Sequence, residues 1–78
     1  MKVLFFAACA DWAGRRELEL AIERPTRLRE LAGSRPEFTD VLRHERELKI
    51  AVNCEYASLD AEVSDGDEVA FMPPVCGG

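Results

Sequence analysis

The stretch DGDEVAFMPPVCGG, residues 65–78, contains a turn, a strand and an unusual chain end. Asp65 and Gly66 have the composition of a tight turn. The following five residues, Glu68–Met72, are mostly apolar and alternate as a β-strand does. Two prolines and, at the end, two glycines follow that strand. This order predicts a last strand that leads directly into an extended exit.

The residues after the strand are suited to leaving a sheet. Pro73 and Pro74 lack amide hydrogens, so strand pairing must stop near Met72. Gly77 and Gly78 carry no side chain, and such a backbone enters a narrow slot and approaches a ligand closely. We therefore predict a tail that is held out from the domain and used.

With 78 residues the chain is long enough for one small domain. We divide it into a folded domain, residues 1–72, and a flexible functional tail, residues 73–78. The reactive group that such a tail exposes is the α-carboxylate of Gly78. A carboxylate becomes an acyl donor only after activation, and the sequence has no phosphate-binding loop, so a separate ATP-using enzyme is implied.

The first half of the chain predicts a hairpin followed by helices. KVLFFAA, residues 2–8, reads as a strand, and the pattern breaks at DWAG, residues 11–14. RRELELAIE, residues 15–23, alternates as a half-buried antiparallel strand. Residues 26–33 predict the main helix, with Thr26 as N-cap, Leu28 and Leu31 inward and Gly33 at the C-terminus. PEFTDVLRHE predicts a second, short helix with Phe38, Val41 and Leu42 inward.

The second half returns to strands. LKIAVNCEYASLD predicts strand pairing around a tight turn at residues 53–55. Because a helix follows the first hairpin, the last strand is expected to run parallel to the first. The predicted fold is therefore α+β: a β-grasp in which a mixed sheet is crossed by one main helix plus a short second helix, with an extended C-terminal tail.

Composition excludes several classes of function. The net charge is −5, and no basic stripe is present, so nucleic acid is not expected as a partner. No apolar run is long enough to span a membrane, so no membrane association is expected. Cys9, Cys54 and Cys76 are widely spaced without a CxxC pair, which favours neither a metal site nor a disulfide framework and suggests the cytoplasm. His44 stands among charged residues and is expected to be a solvated surface residue.

The ending DGDEVAFMPPVCGG closely resembles the C-terminal signature of the molybdopterin synthase small subunits, a family of ubiquitin-like sulfur carriers. KVLFFA, residues 2–7, and AVN, residues 51–53, also resemble strands of that family. Residues 11–48 match only in pattern. Two departures stand out: Cys76 occupies a position where a small residue is more usual, and Met72 replaces a second Phe. Cys76 is read either as filler for a small-residue slot or as a thiol that captures sulfur.

The resemblance implies a specific chemistry. An E1-like enzyme would adenylate the Gly78 carboxylate with ATP, and a sulfur donor such as a cysteine desulfurase or a rhodanese-like protein would convert it to a thiocarboxylate. The tail would then enter the large synthase subunit, in a heterotetramer of two small and two large subunits. There its sulfur would pass to cyclic pyranopterin monophosphate and build the dithiolene of molybdopterin. The catalytic side chains would belong to the partner, and this chain would bind no cofactor or metal itself. The residues implied for tail insertion are Pro73, Pro74, Val75, Cys76 and Gly77.

Two alternatives remain open at this point. One is a β-grasp sulfur carrier for another product, such as thiamine, cysteine or a sulfur-containing metabolite. The other is a ubiquitin-like modifier without sulfur chemistry. Strand alternation places Phe6 and Met72 on the face opposite the core residues, beside the tail exit, where the large subunit would grip the domain. With Tyr56 they form the predicted partner interface.

Overall fold

The computed structural model describes residues 1–74, so the predictions for Val75, Cys76, Gly77 and Gly78 lie outside the described residues. The described chain contains seven strands, two α-helices and two 3-10 helices. In chain order they are β1 Lys2–Phe5, α1 Ala8–Ala13, β2 Glu17–Glu19, β3 Thr26–Arg27, the first 3-10 helix Leu28–Gly33, α2 Pro36–Leu42, the second 3-10 helix Glu45–Glu47, β4 Lys49–Val52, β5 Glu55–Ala57, β6 Glu62–Val63 and β7 Glu68–Met72.

The main sheet has five strands in the order β2-β1-β7-β4-β5. β1 and β7 are parallel, and the other neighbours in this sheet are antiparallel. A second sheet pairs β3 with β6. The predictions of a mixed sheet, an α+β fold and a last strand parallel to the first are confirmed. β7 lies at the centre, which explains its apolar character.

The core lies between the main sheet and the helices. Val3 and Phe5 of β1 and Phe71 of β7 are almost fully buried, as alternation predicted. The Phe71 ring stacks on Phe5 with centroids 5.7 Å apart and meets Phe38 of α2 edge-on at 6.2 Å. Both geometries are favourable for aromatic pairs. Val41 of α2 is also fully buried, so the short second helix packs inward as expected.

The helix predicted over residues 26–33 is wrong in type. Thr26 lies in β3, where its hydroxyl donates to the carbonyl of Arg24 at 2.8 Å instead of capping a helix. The chain from Leu28 forms a 3-10 helix, with Leu28 and Leu31 buried as predicted. The 3-10 helix ends at Gly33, the predicted residue, and it does not run on into α2, because the residue before a proline is driven to extended backbone and Arg35 has φ −149° and ψ 145°.

The break predicted at DWAG is instead part of α1. Its Ala-rich sequence favours helix, and it ends at Gly14, whose φ of 79° is the left-handed conformation common at helix C-termini. The Gly14 amide donates to the carbonyl of Ala10 at 2.9 Å. α1 therefore connects the two strands of the predicted hairpin, whose antiparallel pairing is confirmed.

The predicted turns are confirmed. Asn53 and Cys54 have φ of 50° and 70° and join β4 to β5. The Asn53 side chain accepts from the amide of Glu68 at 3.0 Å and donates to Asp67 at 3.1 Å. These bonds tie the β4–β5 turn to the Asp65–Gly66 turn that precedes β7.

A cluster of side-chain ion pairs links the segment just before β2 to α2. Arg15 Nη1 lies 3.4 Å from Glu37, and Arg35 Nε lies 3.2 Å from the same carboxylate. Arg15 Nε also donates to the carbonyl of Glu17 at 2.8 Å. The Arg35 hydrogen bonds are the main cause that lowers the pKa of Glu37 from 4.5 to about 2. The side chain of Glu37 is only 13% exposed, so these contacts are partly shielded from water.

Replacing Glu37 with glutamine is expected to remove a pH-dependent contribution to stability. A carboxyl whose folded pKa is depressed stabilises the fold above its ordinary pKa and loses that contribution as pH falls through the folded value. The Tm of wild type should therefore exceed that of Glu37→Gln at pH 7, and the gap should close between pH 4.5 and about 2. Thermal unfolding across this pH range checks it, with the exposed Glu30→Gln as control. A gap that is constant with pH would contradict the assignment.

Candidate functional site: the open sheet face and the tail exit

One face of the main sheet is not covered by helices, and its central side chains are apolar. Alternation turns Leu4 of β1, and Phe6 directly after that strand, away from the core, together with Ala70 and Met72 of β7. Phe6 is 48% exposed. We call this surface the open face, and it comprises Leu4, Phe6, Ala51, Tyr56, Ala70 and Met72.

The strand registers order the open face into rows. Leu4 is paired with Ala70, Ala70 with Ala51, and Ala51 with Tyr56, which makes one row across four strands. The adjacent row, next to the tail exit, contains Phe6, Met72 and Lys49. Within residues 1–74, Phe6 and Tyr56 are the only large hydrophobic side chains that are exposed. Contiguous exposed apolar surface of this kind is typical of an interaction site.

The three residues predicted as a partner interface share the open face but are not equally close. Phe6 and Met72 are on neighbouring strands beside the exit. Tyr56, which is 78% exposed, lies on the edge strand β5, three strands from β1 and thus about 14 Å away at the usual strand spacing. The ammonium of Lys49 lies 5.9 Å from the Tyr56 ring centroid, so Lys49 occupies the space between Tyr56 and Met72.

Sequence reasoning missed Leu4, Ala51 and Ala70, although they form the floor of the open face. The alternation of β1 and β7 already assigned Leu4 and Ala70 to this side. What identifies them as one surface is the register of β7 against both its neighbours, which a single sequence does not specify.

Charged residues border the open face along one side. Glu19 is paired with Lys2, and Lys2 with Glu68, so these three form a further row. Glu17 lies opposite Leu4, and its carboxylate is 3.8 Å from the Lys2 ammonium. This border carries more negative than positive charge, which favours a partner with basic groups at the matching rim.

The tail leaves the sheet where both neighbouring strands also end. β1 turns away after Phe6, whose amide donates to the Phe71 carbonyl at 3.0 Å. On the other side β4 begins at Lys49, directly opposite Met72. Pro73 and Pro74 then follow without an amide donor. The chain is thus released from the sheet immediately after Met72, one residue beyond Phe71, which is anchored in the core.

Among residues 1–74, no set of reactive side chains is assembled near this exit. Burial raises the pKa of the Cys9 thiol to about 11, which keeps it in the unreactive protonated form. Cys54 is exposed in the β4–β5 turn, at the end of the sheet opposite the exit. His44 lies at the surface but is not fully solvated, because its ring stacks on Trp12 at 3.7 Å and contacts Glu47 at 3.5 Å.

Neither a metal site nor a membrane-spanning helix is found in the part of the chain that the structure describes. Within residues 1–74, no group of three or more His, Cys, Asp or Glu side chains is arranged to hold a metal ion. Over the same residues, no helix combines the length and the apolar character needed to cross a bilayer.

Comparison with known proteins matches this arrangement to one family. A profile described as the ThiS family matches residues 3–78. The chain belongs to the ThiS family. It is 39% identical to the molybdopterin synthase sulfur carrier subunit of Escherichia coli strain K12, over 100% of this chain and 99% of the relative. It is 31% identical to the protein of the same name from Haemophilus influenzae, with the same coverage.

Solved structures agree with the ThiS-family assignment. A protein described as molybdopterin converting factor, subunit 1, from Pyrococcus furiosus has a TM-score of 0.73 and 32% identity, with 95% of each chain covered. SAMP1 from Haloferax volcanii has a TM-score of 0.74 at 23% identity, with 99% of this chain and 97% of that chain covered, and supports the fold alone. The predicted family and its ubiquitin-like β-grasp are therefore confirmed.

Two adjacent phenylalanines should respond oppositely to truncation, because one faces the core and the other the open face. Phe5→Ser should lower the free energy of unfolding by at least about 3 kcal/mol, since it empties a buried aromatic site. Phe6→Ser should change it by less than about 1 kcal/mol. Denaturant unfolding of both variants measures this. Equal destabilisation by the two substitutions would show that the strand facing is wrong.

Proposed function

We propose that this chain is the sulfur-carrier small subunit of molybdopterin synthase, with residues 1–72 as the domain and residues 73–78 as a flexible tail. The observation that carries the proposal is the exit: β7 is anchored in the core up to Phe71, loses both neighbours after Met72 and continues into a proline pair. Family membership and the full-length relatives named as sulfur carrier subunits support the same function.

In the proposed reaction the Gly78 carboxylate is the group that changes. An E1-like activating enzyme uses ATP to convert it to an acyl adenylate, with release of pyrophosphate. The persulfide of a sulfur donor, such as a cysteine desulfurase or a rhodanese-like protein, displaces AMP and forms an acyl disulfide. A thiol then attacks the donor's sulfur in that disulfide, is itself oxidised to a disulfide with the donor, and releases the thiocarboxylate. That sulfur then passes to cyclic pyranopterin monophosphate, and the carboxylate is regenerated. This chain supplies the carrier atom and binds no cofactor of its own.

The lack of an assembled nucleophile and base in the described residues supports this division of labour. Cys9 is held as a buried thiol, and His44 is engaged with Trp12. We therefore assign the catalytic side chains to the large subunit, in a heterotetramer of two small and two large subunits. Free thiols at Cys9 and Cys54, together with a thiocarboxylate that oxidises readily, favour the reducing cytoplasm as the site of the cycle.

The open face is the surface we assign to the large subunit. Phe6 and Met72 lie beside the exit, so a partner that binds them also receives the tail. Clusters of exposed apolar and aromatic side chains often dominate the affinity of an interface. The acidic residues at its border, Glu17, Glu19 and Glu68, match a partner with a basic rim and predict an association rate that falls as salt rises.

Extending the chain beyond Gly78 is expected to abolish charging. With purified activating enzyme, ATP and a sulfur donor, intact-mass analysis of wild type should detect the increase equal to one sulfur minus one oxygen. A variant with one serine added after Gly78 should remain unchanged in mass and unfold like wild type, because the buried core of the described chain ends at Phe71. Sulfur transfer by the extended chain, with the extension still present in its mass, would overturn the assignment.

Truncation of the open face is expected to weaken large-subunit binding without unfolding the domain. Phe6→Ser and Met72→Ser should each reduce affinity by at least about 1–2 kcal/mol, the range of an interface hot spot, and Tyr56→Ser by less because Tyr56 is at the edge. Isothermal titration with the large subunit measures the loss, with the exposed Glu30→Ser on the helical side as control. Normal binding by folded Phe6→Ser would mean that the partner uses another surface.

A further inference from the structure

We propose that Ala7 is a positioning residue: its strained backbone ends β1, holds Phe6 on the open face and uncovers one flank of the tail. This rests on the proposed function, in which the open face and the tail bind the large subunit together. Ala7 has φ 49° and ψ −127°. These values belong to the first central position of a type II′ turn, which is dominated by glycine because an L side chain is strained there.

The hydrogen bonds of Phe6 show what this turn does. In the parallel ladder, β1 amides donate to β7 carbonyls at every second residue, as Lys2 does to Asp67 at 2.9 Å and Phe6 to Phe71 at 3.0 Å. The next bond of that ladder would run from the amide of residue 73 to the carbonyl of Phe6. Residue 73 is proline and has no amide hydrogen.

The turn supplies the missing donor from elsewhere. The Phe6 carbonyl accepts instead from the Cys9 amide at 2.9 Å, and the Ala7 carbonyl accepts from the Ala10 amide at 3.0 Å. Pro73 and the Ala7 turn are thus two halves of one arrangement: the proline removes the donor from the ladder, and the turn satisfies the acceptor that is left. Because Pro73 has no amide hydrogen and the Phe6 carbonyl is already bonded to the Cys9 amide, no backbone hydrogen bond from β1 holds the chain after Phe71.

The same turn fixes Phe6 before any partner arrives. The Phe6 amide is bonded to β7 and its carbonyl to α1, so the backbone on both sides of this exposed ring is held. An anchor that is already ordered loses less conformational entropy on binding. Ala7 itself is exposed, so packing of its methyl group does not explain why an L-residue is held in this conformation.

The test varies the preferred backbone of residue 7 and leaves the other side chains alone. Cys9 permits ligation of a synthetic Met1–Ala8 thioester to residues 9–78 under denaturing conditions, followed by refolding, without a foreign residue at the junction. Wild type made this way is compared with D-alanine at position 7, for which the observed dihedral angles are unstrained, and with Ala7→Gly and Ala7→Val. The readouts are Tm and the Kd for the large subunit.

D-Alanine at position 7 should raise Tm by about 4–8 °C, the shift expected for relief of a modest backbone strain in a domain of this size. It and Ala7→Gly should bind the large subunit at least as tightly as wild type. Ala7→Val, whose β-branched side chain favours extended backbone, should bind at least about tenfold more weakly.

The control for lost stability is Gly66→Val. Gly66 has φ 93° and lies in the turn before β7, at the end of the sheet away from the exit, so valine there is also strained. If Ala7→Val binds no worse than Gly66→Val at a similar Tm, the positioning role is wrong. If D-alanine does not raise Tm, the strained backbone of Ala7 is wrong, and if D-alanine weakens binding, the positioning role is wrong. Both results can be read even where Ala7→Val does not fold. If wild type itself does not bind the large subunit, the proposed function fails instead.

Discussion

The parallel pairing of β1 with β7 is the interaction on which the rest of the molecule depends. It joins the two ends of the chain, and its inward side chains, with those of α2, form the aromatic centre of the core. Parallel strands need a crossover connection, and the whole chain between Phe5 and Glu68 serves as that connection. Because the two strands point the same way, they also end at the same edge. The exposed Phe6 and the tail are neighbours for this reason of topology.

The strands and turns were predictable because their signals are local. The alternation in EVAFM gave the bounds and the facing of β7 correctly, and Asn53 and Gly66 marked turns through their tolerance of positive φ. The helices were predicted less well because each is short. A six-residue helix such as α1 gains little from intrinsic propensity and depends on tertiary packing. Residues 28–33 have a helical pattern, but β3 before them and the extended Arg35 before Pro36 confine the helix to six residues, and it is of the 3-10 type.

The part of the candidate site that follows from strand alternation was predictable from the sequence. Facing alone placed Phe6 and Met72 opposite the core and beside the exit, and the structure agrees. The distance of Tyr56 from them, and the floor formed by Ala51 and Ala70, depend on the order and register of five strands. The dihedral angles of Ala7 were not predictable either, since alanine has no local preference for them. They follow from the need to turn β1 away where β7 continues.

The free edges of the sheet have a consequence for a protein that leaves an apolar face uncovered between partners. Unpaired edge strands can pair with strands of other chains, and an exposed apolar surface beside them increases the tendency to aggregate. Here β2 and β5 are each three residues long, and the outward carbonyl of Glu17 is already occupied by Arg15. Chains that meet through their apolar faces therefore find little edge along which to extend a sheet. We therefore expect contacts between copies through this face to remain reversible, which keeps the face available for a partner.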